Sequence, residues 1–430
     1  MRQLELLFAL VLLAVAALPA ATPPATMDLR RCLQAALERN PSLRAAEQRW
    51  RAADHSGASA GAALGPSLAL HDTYNRTNRQ FNPFFVFPKV SHQVYAELRQ
   101  SVYSGGKLQA SERQARQEAE RARWEFVEAR QGLVESVIRS YLDWLQQREV
   151  NDYYRSAIER DRKLESEIAV RVQAGKALDA ERLQAHIRVL DDRRKLLEGE
   201  NKAELARSLL LVQMDLPPQT ILEPVMNLSL LESIPPPSPS SVVLGTGNAA
   251  LRATSAAVGA ARAGFEKARG ESRPTLDLAV RQSHVIDGLS FTSFDADYTE
   301  YVAVVDFPLF DGGLRREQKE AAKATVRASR EEYENQLRQK ELELKKAHLD
   351  LAEALDRVKI ARDKHESAAE NLRVARERYD AGTVLLSETL DAVANVELAS
   401  TEDIASRFDV YRAQVAILRL EGRMYESLGK

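Results

Sequence analysis

The 430-residue chain contains one cysteine, Cys32, so no internal disulfide can brace it. Seven scattered histidines beside that single cysteine make no zinc-ligand set. A net charge of -2 leaves no basic stripe of the kind nucleic acid requires. Aromatic residues are scarce, 6% against 28% charged, a balance that accompanies long helices rather than compact aromatic cores. After residue 20 no apolar run is long enough to cross a membrane as a helix, so any passage through lipid must be made by strands. Catalytic motifs are missing as well. In "YSGGKLQ" Ser101 stands where a phosphate loop needs its first glycine, and Leu108 replaces the Ser/Thr. "HESAAE", at His365, lacks the second histidine of a zinc-protease helix, and His365 reads as a packed or water-bonded side chain. No catalytic residue, metal or cofactor is expected.

What the chain does contain begins with "MRQLELLFALVLLAVAALPAATPPAT". Arg2, the apolar run Leu6 to Leu18 and the small residues after it read as a secretory signal over residues 1–21. Cys32 sits in "LRRC", without the small residue that a lipoprotein signal places before its cysteine, and reads as a core residue.

The rest is written twice. "NPSLRAA" at Asn40 returns as "NAALRAT" at Asn248, 208 residues on, and Pro66 returns as Pro274 at the same distance. Gly105-Gly106 return as Gly312-Gly313, and Gly175 returns as Gly382, both 207 residues on. Four landmarks in one order at nearly one offset indicate a duplication. The repeats span 28–213 and 248–430, joined by the proline-rich stretch 214–247, whose seven prolines exclude regular helix or internal strand. Each repeat reads as helix, strand, strand, long helix, helix, with the first helix running from about Asp28 to Ala63 and from about Asn248 to Gly270. The long helices, opened by Gly-Gly and closed by Ala-Gly, would each extend about 100 Å.

In the second long helix Leu337, Leu344, Leu351, Val358, His365, Leu372 and Tyr379 recur every seven residues. Ala347, Ala354, Ala361, Ala368 and Ala375 recur on the neighbouring row, which implies a close, left-handed helix pairing. The first long helix has only fragments of this row: Val137, Trp144, Ile158 and Val172. The strand runs alternate: Val94, Ala96, Leu98 and Val102 against Tyr95, Glu97, Arg99 and Ser101, then Tyr301, Ala303, Val305, Phe307 and Leu309 against Val302, Val304, Asp306 and Pro308. Leu68 and Leu70, and Leu276, Leu278 and Val280, mark one face of the first strands. Each run is about ten residues, the length of a tilted membrane strand. Four strands cannot enclose a lumen, so they must pool with other chains, and three chains would give about twelve strands. Gly105, Gly106, Gly312 and Gly313 then mark the switch from strand to helix, where backbone angles without a Cβ are needed. Tyr103 and Phe310 just before them suit an interfacial belt, and the apolar "FNPFFVFP", Phe81 to Pro88, reads as an external loop.

"LRRCLQAALERNPSL", "FPLFDGG" and "RYDAGTVLLSETLDA" together resemble the TolC family of outer-membrane efflux channels, over essentially the whole mature chain. That resemblance implies a homotrimer, mainly α with a membrane β portion, in which an α-barrel in the periplasm continues a shared twelve-stranded β-barrel. It implies a passive exit duct of a tripartite efflux or type I secretion system, with a periplasmic adaptor, an inner-membrane pump and outer-membrane lipid as partners. By the same resemblance the helix-hairpin tips would dock the adaptor, through Ala174, Gly175, Leu183 and Ala185 in the first repeat and Ala381, Gly382, Thr383, Leu390 and Ala392 in the second. Glu388, Asp391 and Glu181 would form an acidic pore constriction, which repetition in a trimer would make attractive to cations. The alternative is a soluble periplasmic coiled-coil scaffold or adaptor, which accounts for the heptads but not for the paired strands.

Overall fold

The computed structural model describes residues 25–76, 90–232, 247–288 and 296–424. The signal expected over 1–21, the loop Phe81 to Pro88 and residues 233–246 of the proline-rich connection lie outside the described residues. The helices are α1 (Leu29–Arg39), α2 (Pro41–Ala62), α3 (Lys107–Gln173), α4 (Asp179–Gln213), α5 (Ser229–Glu232), α6 (Ala249–Gly270), α7 (Leu314–Asp380) and α8 (Leu386–Glu421). The strands are β1 (Ala25–Met27), β2 (Ser67–Arg76), β3 (Val90–Tyr103), β4 (Leu222–Pro224), β5 (Thr275–Gly288) and β6 (Ala296–Asp306). The α2-to-α4 and α6-to-α8 stretches repeat one order, and α3 and α7 are each unbroken over 67 residues, about 100 Å of helix.

The first helix is not continuous. Asn40 leaves helical geometry at ψ 121, and Pro41, which has no N–H to give, restarts the helix as α2. Asn40 caps the new start by accepting from the Leu43 N–H at 3.1 Å. Asn248, its counterpart, caps α6 in the same way through the Leu251 N–H at 3.1 Å. The proline-rich connection also holds more structure than its composition indicates. Leu222–Pro224 pairs in parallel with Ala25–Met27 as a two-stranded edge, with Pro224 at the end, where its missing donor costs least.

The chain divides into two compact units. One comprises residues 1–44, 130–246 and 342–430. Its main core packs Cys32, Leu33 and Ala36 of α1 against Ile138, Tyr141, Leu142 and Leu145 of α3, with Leu210 and Leu211 of α4 and Phe408 of α8. Burial pushes the Cys32 thiol up to about 12, so it remains a neutral core side chain. Tyr141 donates its hydroxyl to the Val225 carbonyl at 2.6 Å and so ties the small β1–β4 sheet to α3. On α7, Leu344, Ala347 and Leu351 pack with Ile417 of α8. The heptad positions from Leu344 to Tyr379 are buried or half-buried. His365 Nδ1 lies 3.1 Å from the Ser400 hydroxyl, consistent with a packed, satisfied histidine.

The other unit comprises residues 45–129 and 247–341. Here α2 and α6 both lie against the start of α3: Gly57 faces the Ala115 backbone, while Gly259 and Gly264 face Gln117 and Gln114. Trp50 stacks on Phe126 at 5.7 Å between ring centres. The remaining element is a four-stranded antiparallel sheet in the order β2-β3-β5-β6.

Candidate functional sites in the sheet and at the hairpin tips

The register of the sheet sorts its residues into two faces. Leu68, Leu98, Val280 and Tyr301 form one row, and Leu278 with Ala303 and Leu276 with Val305 extend it. This apolar face is uncovered in the chain: Leu68 is 76%, Tyr301 80% and Val305 69% exposed. Most of its polar members, among them Asp72, His92, Gln282, His284, Asp297 and Thr299, lie on the side of the row away from the Gly-Gly turns, with Gln100 nearer the turns, and His284 bonds Asp297 at 2.7 Å. The opposite face carries ion pairs among small, polar and a few apolar residues such as Ala279, Val302 and Val304. Arg281 meets Glu97 at 2.5 Å and Glu300 at 3.5 Å, and Arg99 meets Asp277 at 3.2 Å. Two departures from the expected alternation occur. A bulge between Ser101 and Tyr103 moves Tyr103, in place of Val102, opposite Leu276 on the apolar face. β6 ends at Asp306, because Pro308 cannot donate to a ladder, so Phe307, Leu309 and Phe310 follow the strand as exposed side chains.

The four turn glycines all have positive φ: 66° and 86° at Gly105 and Gly106, 66° and 93° at Gly312 and Gly313. Their surroundings differ. A Cβ on Gly105 would lie 2.6 Å from the Gly270 carbonyl oxygen, whereas one on Gly312 would meet nothing within 4 Å.

At the other end of α3 and α7 the chain closes each helix with the same device. The Gly175 N–H bonds the Val172 carbonyl and the Lys176 N–H bonds the Arg171 carbonyl, while Gly382 and Thr383 bond Tyr379 and Arg378 likewise. These are Schellman closures, and the φ values of 69° and 70° select glycine at both. Ala174, Gly175, Ala381, Gly382 and Thr383 are exposed, as are Leu183, Glu388 and Asp391. Ala185 and Ala392 are not docking surface: they are 1% and 2% exposed and serve close helix packing. Leu390 is half-buried against the Ile168, Ala185 and Leu386 cluster.

Glu181 does not stand free beside the other two acids. Tyr379 donates its hydroxyl to Glu181 at 3.3 Å, and Arg171 lies over the Tyr379 ring at 5.1 Å while pairing with Asp380 at 2.5 Å. Burial raises the Tyr379 hydroxyl and the Glu181 charge adds to it, so this donor keeps its proton at neutral pH. The sequence reading missed Arg171, Tyr379 and Asp380 as tip residues. The available signal was Tyr379 itself, a polar aromatic ending a leucine heptad row.

A sheet greasy on one face and charged on the other, beside helices of 67 residues, narrows the comparison with known proteins. The model of the outer membrane efflux protein family matches residues 32–211 and 245–423. The chain belongs to the outer membrane efflux protein family. Members are channels rather than enzymes, and this one is an outer-membrane exit duct for efflux with its helices in the periplasm. The fold agrees with solved structures. A membrane protein from Pseudomonas aeruginosa superposes with a TM-score of 0.84 at 22% identity, over 92% of this chain and 90% of that one. The outer membrane protein VceC from Vibrio cholerae gives 0.80 at 19% identity, over 92% and 96%. The MtrE outer membrane channel of Neisseria gonorrhoeae, solved in its open state, gives 0.79 at 19%, over 92% and 89%. No curated protein matches the sequence at a significant level.

Proposed function

We propose that three copies of this chain close into one duct, whose membrane part is a twelve-stranded barrel formed by β2, β3, β5 and β6 of each. The observation that carries this reading is the sheet. It is apolar and uncovered on one face and ion-paired on the other, and β2 and β6 each have a strand partner on one side only among the described residues. Pairing β6 of one copy with β2 of the next satisfies both edges and puts lipid outside and water inside.

The helical unit offers matching surfaces. Leu183, Ile187, Leu190, Leu197, Leu205 and Val212 leave an exposed apolar stripe along α4, and α7 exposes Leu342, Leu349 and Ile360. A neighbouring copy would cover both. At the tips Glu388 and Asp391, repeated three times, would ring the mouth with carboxylates, and the Arg171–Asp380 and Tyr379–Glu181 contacts would hold the two hairpin tips together. The exposed Ala174, Gly175, Ala381, Gly382, Thr383 and Leu183 form the surface offered to a periplasmic adaptor, which would link the duct to an inner-membrane pump. The repeats 28–213 and 248–430 are read as one ancestral unit used twice, so that three chains give six near-equivalent sectors.

Extraction from outer membranes in mild detergent, followed by native mass measurement, tests the assembly. A mass of three chains is expected. A soluble periplasmic monomer of the full chain rejects the reading.

A further inference from the structure

Where α3, α4 and α8 pack together, a group of charged side chains is largely buried. Asp192 of α4 is fully buried, and Asp161 of α3 and Glu397 of α8 are nearly so. Arg188 of α4 reaches all three, at 3.4 Å from Asp161, 3.5 Å from Asp192 and closer still to Glu397. Lys195 also pairs with Glu397, and the Tyr154 hydroxyl donates to Glu397 at 3.0 Å. Two cations therefore face three carboxylates, and their attention is uneven. Glu397 receives Arg188, Lys195 and Tyr154. Asp192 receives no hydrogen bond at either oxygen, although it is the most deeply buried of the three. A buried carboxylate without donors is strongly unfavourable.

A proton removes the deficit. Two neighbouring carboxylates repel, but an acid and a carboxylate can share an O–H···O bond, which also turns one unsatisfied oxygen into a donor. We propose that Asp192 and Asp161, both reached by Arg188, form a proton-binding site that joins α4 to α3. Burial is the main force on Asp192, carrying it up to about 7 against the pull of Arg188, with Asp161 and Glu397 adding to the rise. The charged and titratable groups around it are Asp161, Tyr153 and Tyr154 from α3, Arg188 and Lys195 from α4 and Glu397 from α8. From α7, His365 is engaged by Ser400. Glu397 moves the other way. Burial pushes it up, but Lys195 and Arg188 outweigh that and hold it below the usual carboxylate range.

The sign of the linkage follows. Asp192 binds its proton more tightly folded than unfolded, so between its ordinary value of 3.8 and about 7 the folded chain holds the extra proton. Stability from this site is full below about pH 3.8, is lost progressively as pH rises from there to about 7, and changes no further above that.

Thermal unfolding of the full chain in detergent, from about pH 5.5 to about pH 8.5, reads the site over the window in which such a group titrates. The wild-type melting temperature should fall by several degrees across this range. Asp192→Asn, whose amide donates to Asp161 at every pH, should lack the fall. Asp161→Asn should lack it too, because its amide donates permanently to Asp192. A flat wild-type profile, or an undiminished slope in either variant, overturns the proposal. If the variants do not fold, infrared spectra of the wild type decide. A protonated-carboxyl band lost between the two ends of the range supports the site, and a constant spectrum there overturns it.

Discussion

Gly105 and Gly312 hold equivalent places in the two repeats and have the same φ of 66°, yet replacing each by alanine should act through different neighbours. For an L-residue the left-handed conformation costs about 1–2 kcal/mol. At Gly105 the new Cβ would also lie 2.6 Å from the Gly270 carbonyl oxygen and 2.8 Å from the Arg273 Cβ. Main chain cannot rotate away, so an overpacking cost of about 1–3 kcal/mol is added, for a total of about 2–5 kcal/mol. At Gly312 nothing lies within 4 Å in the single chain, and only the conformational cost remains. The repeat supplies the missing neighbour. Gly270 ends α6 as Ala62 ends α2, 208 residues earlier, and Gly65 corresponds to Arg273 at the same offset. In a closed ring the α2 end of the next copy would meet Gly312 as the α6 end meets Gly105. Gly312→Ala should therefore lower the temperature of trimer dissociation about as far as Gly105→Ala does. Unfolding of the dissociated Gly312→Ala chain should show only the conformational part. Dissociation on a native gel, with helix content followed by circular dichroism, measures the two separately. A Gly312→Ala trimer that dissociates near the wild-type temperature, beside a Gly105→Ala trimer that falls apart early, would refute the ring geometry.

Asn40→Ala should cost more than Asn248→Ala. Both lose a helix cap, typically about 1 kcal/mol, but Asn40 also donates to the Gln213 carbonyl at 2.9 Å, and about 1–3 kcal/mol more is expected from the buried acceptor left behind, read by chemical unfolding. Glu388→Ala with Asp391→Ala should relieve block of single-channel current by multivalent cations added on the tip side, and unchanged block would remove both residues from the constriction. Glu397→Gln removes the charge partner of Lys195 and one of the three carboxylates around Arg188, a loss of about 1–3 kcal/mol in thermal or denaturant unfolding. In the wild type the same carboxyl, held below its usual range, contributes stability above that range. This contribution is lost as pH falls through its folded value, so the stability gap between the wild type and Glu397→Gln should narrow in acid, and a gap constant with pH would refute the assignment.

The legibility of these features in the sequence depends on whether a pattern reports burial directly. The row Leu344, Leu351 and Ala347, Ala354, Ala361 does so, because a seven-residue period on a helix is a statement about which side is covered, and all five are buried. The turn glycines were legible for a similar reason: two glycines between a strand period and a helix period need angles that other residues resist. The break at Asn40 was hidden, because the residues on both sides of Pro41 are good helix formers and proline is welcome at a helix start. The strand Leu222–Pro224 was hidden by its proline, which only its place at the end of an edge strand tolerates. The charges at Asp161, Arg188, Asp192 and Glu397 resemble those of any solvated helix face, and their burial arises from three helices, α3, α4 and α8, converging on one level. Ala185 and Ala392 show the converse error: residues placed on the docking surface by their motif are small so that two helices can approach.

The sheet also carries the physical argument for the proposed closure by neighbouring copies. Lipid against Leu68, Leu98, Val280 and Tyr301, with water against Glu97, Arg99 and Arg281, satisfies both faces at once. That placement puts the outer edges of β2 and β6 into hydrocarbon, where each unpaired backbone group costs several kcal/mol. The environment that suits the faces is therefore the one that forbids the edges, and the conflict is removed when β6 of one copy pairs with β2 of another. Two copies would give eight strands, an interior that side chains fill. A third copy is the smallest addition that would open a passage, so the proposed trimer is the smallest ring of this sheet able to conduct.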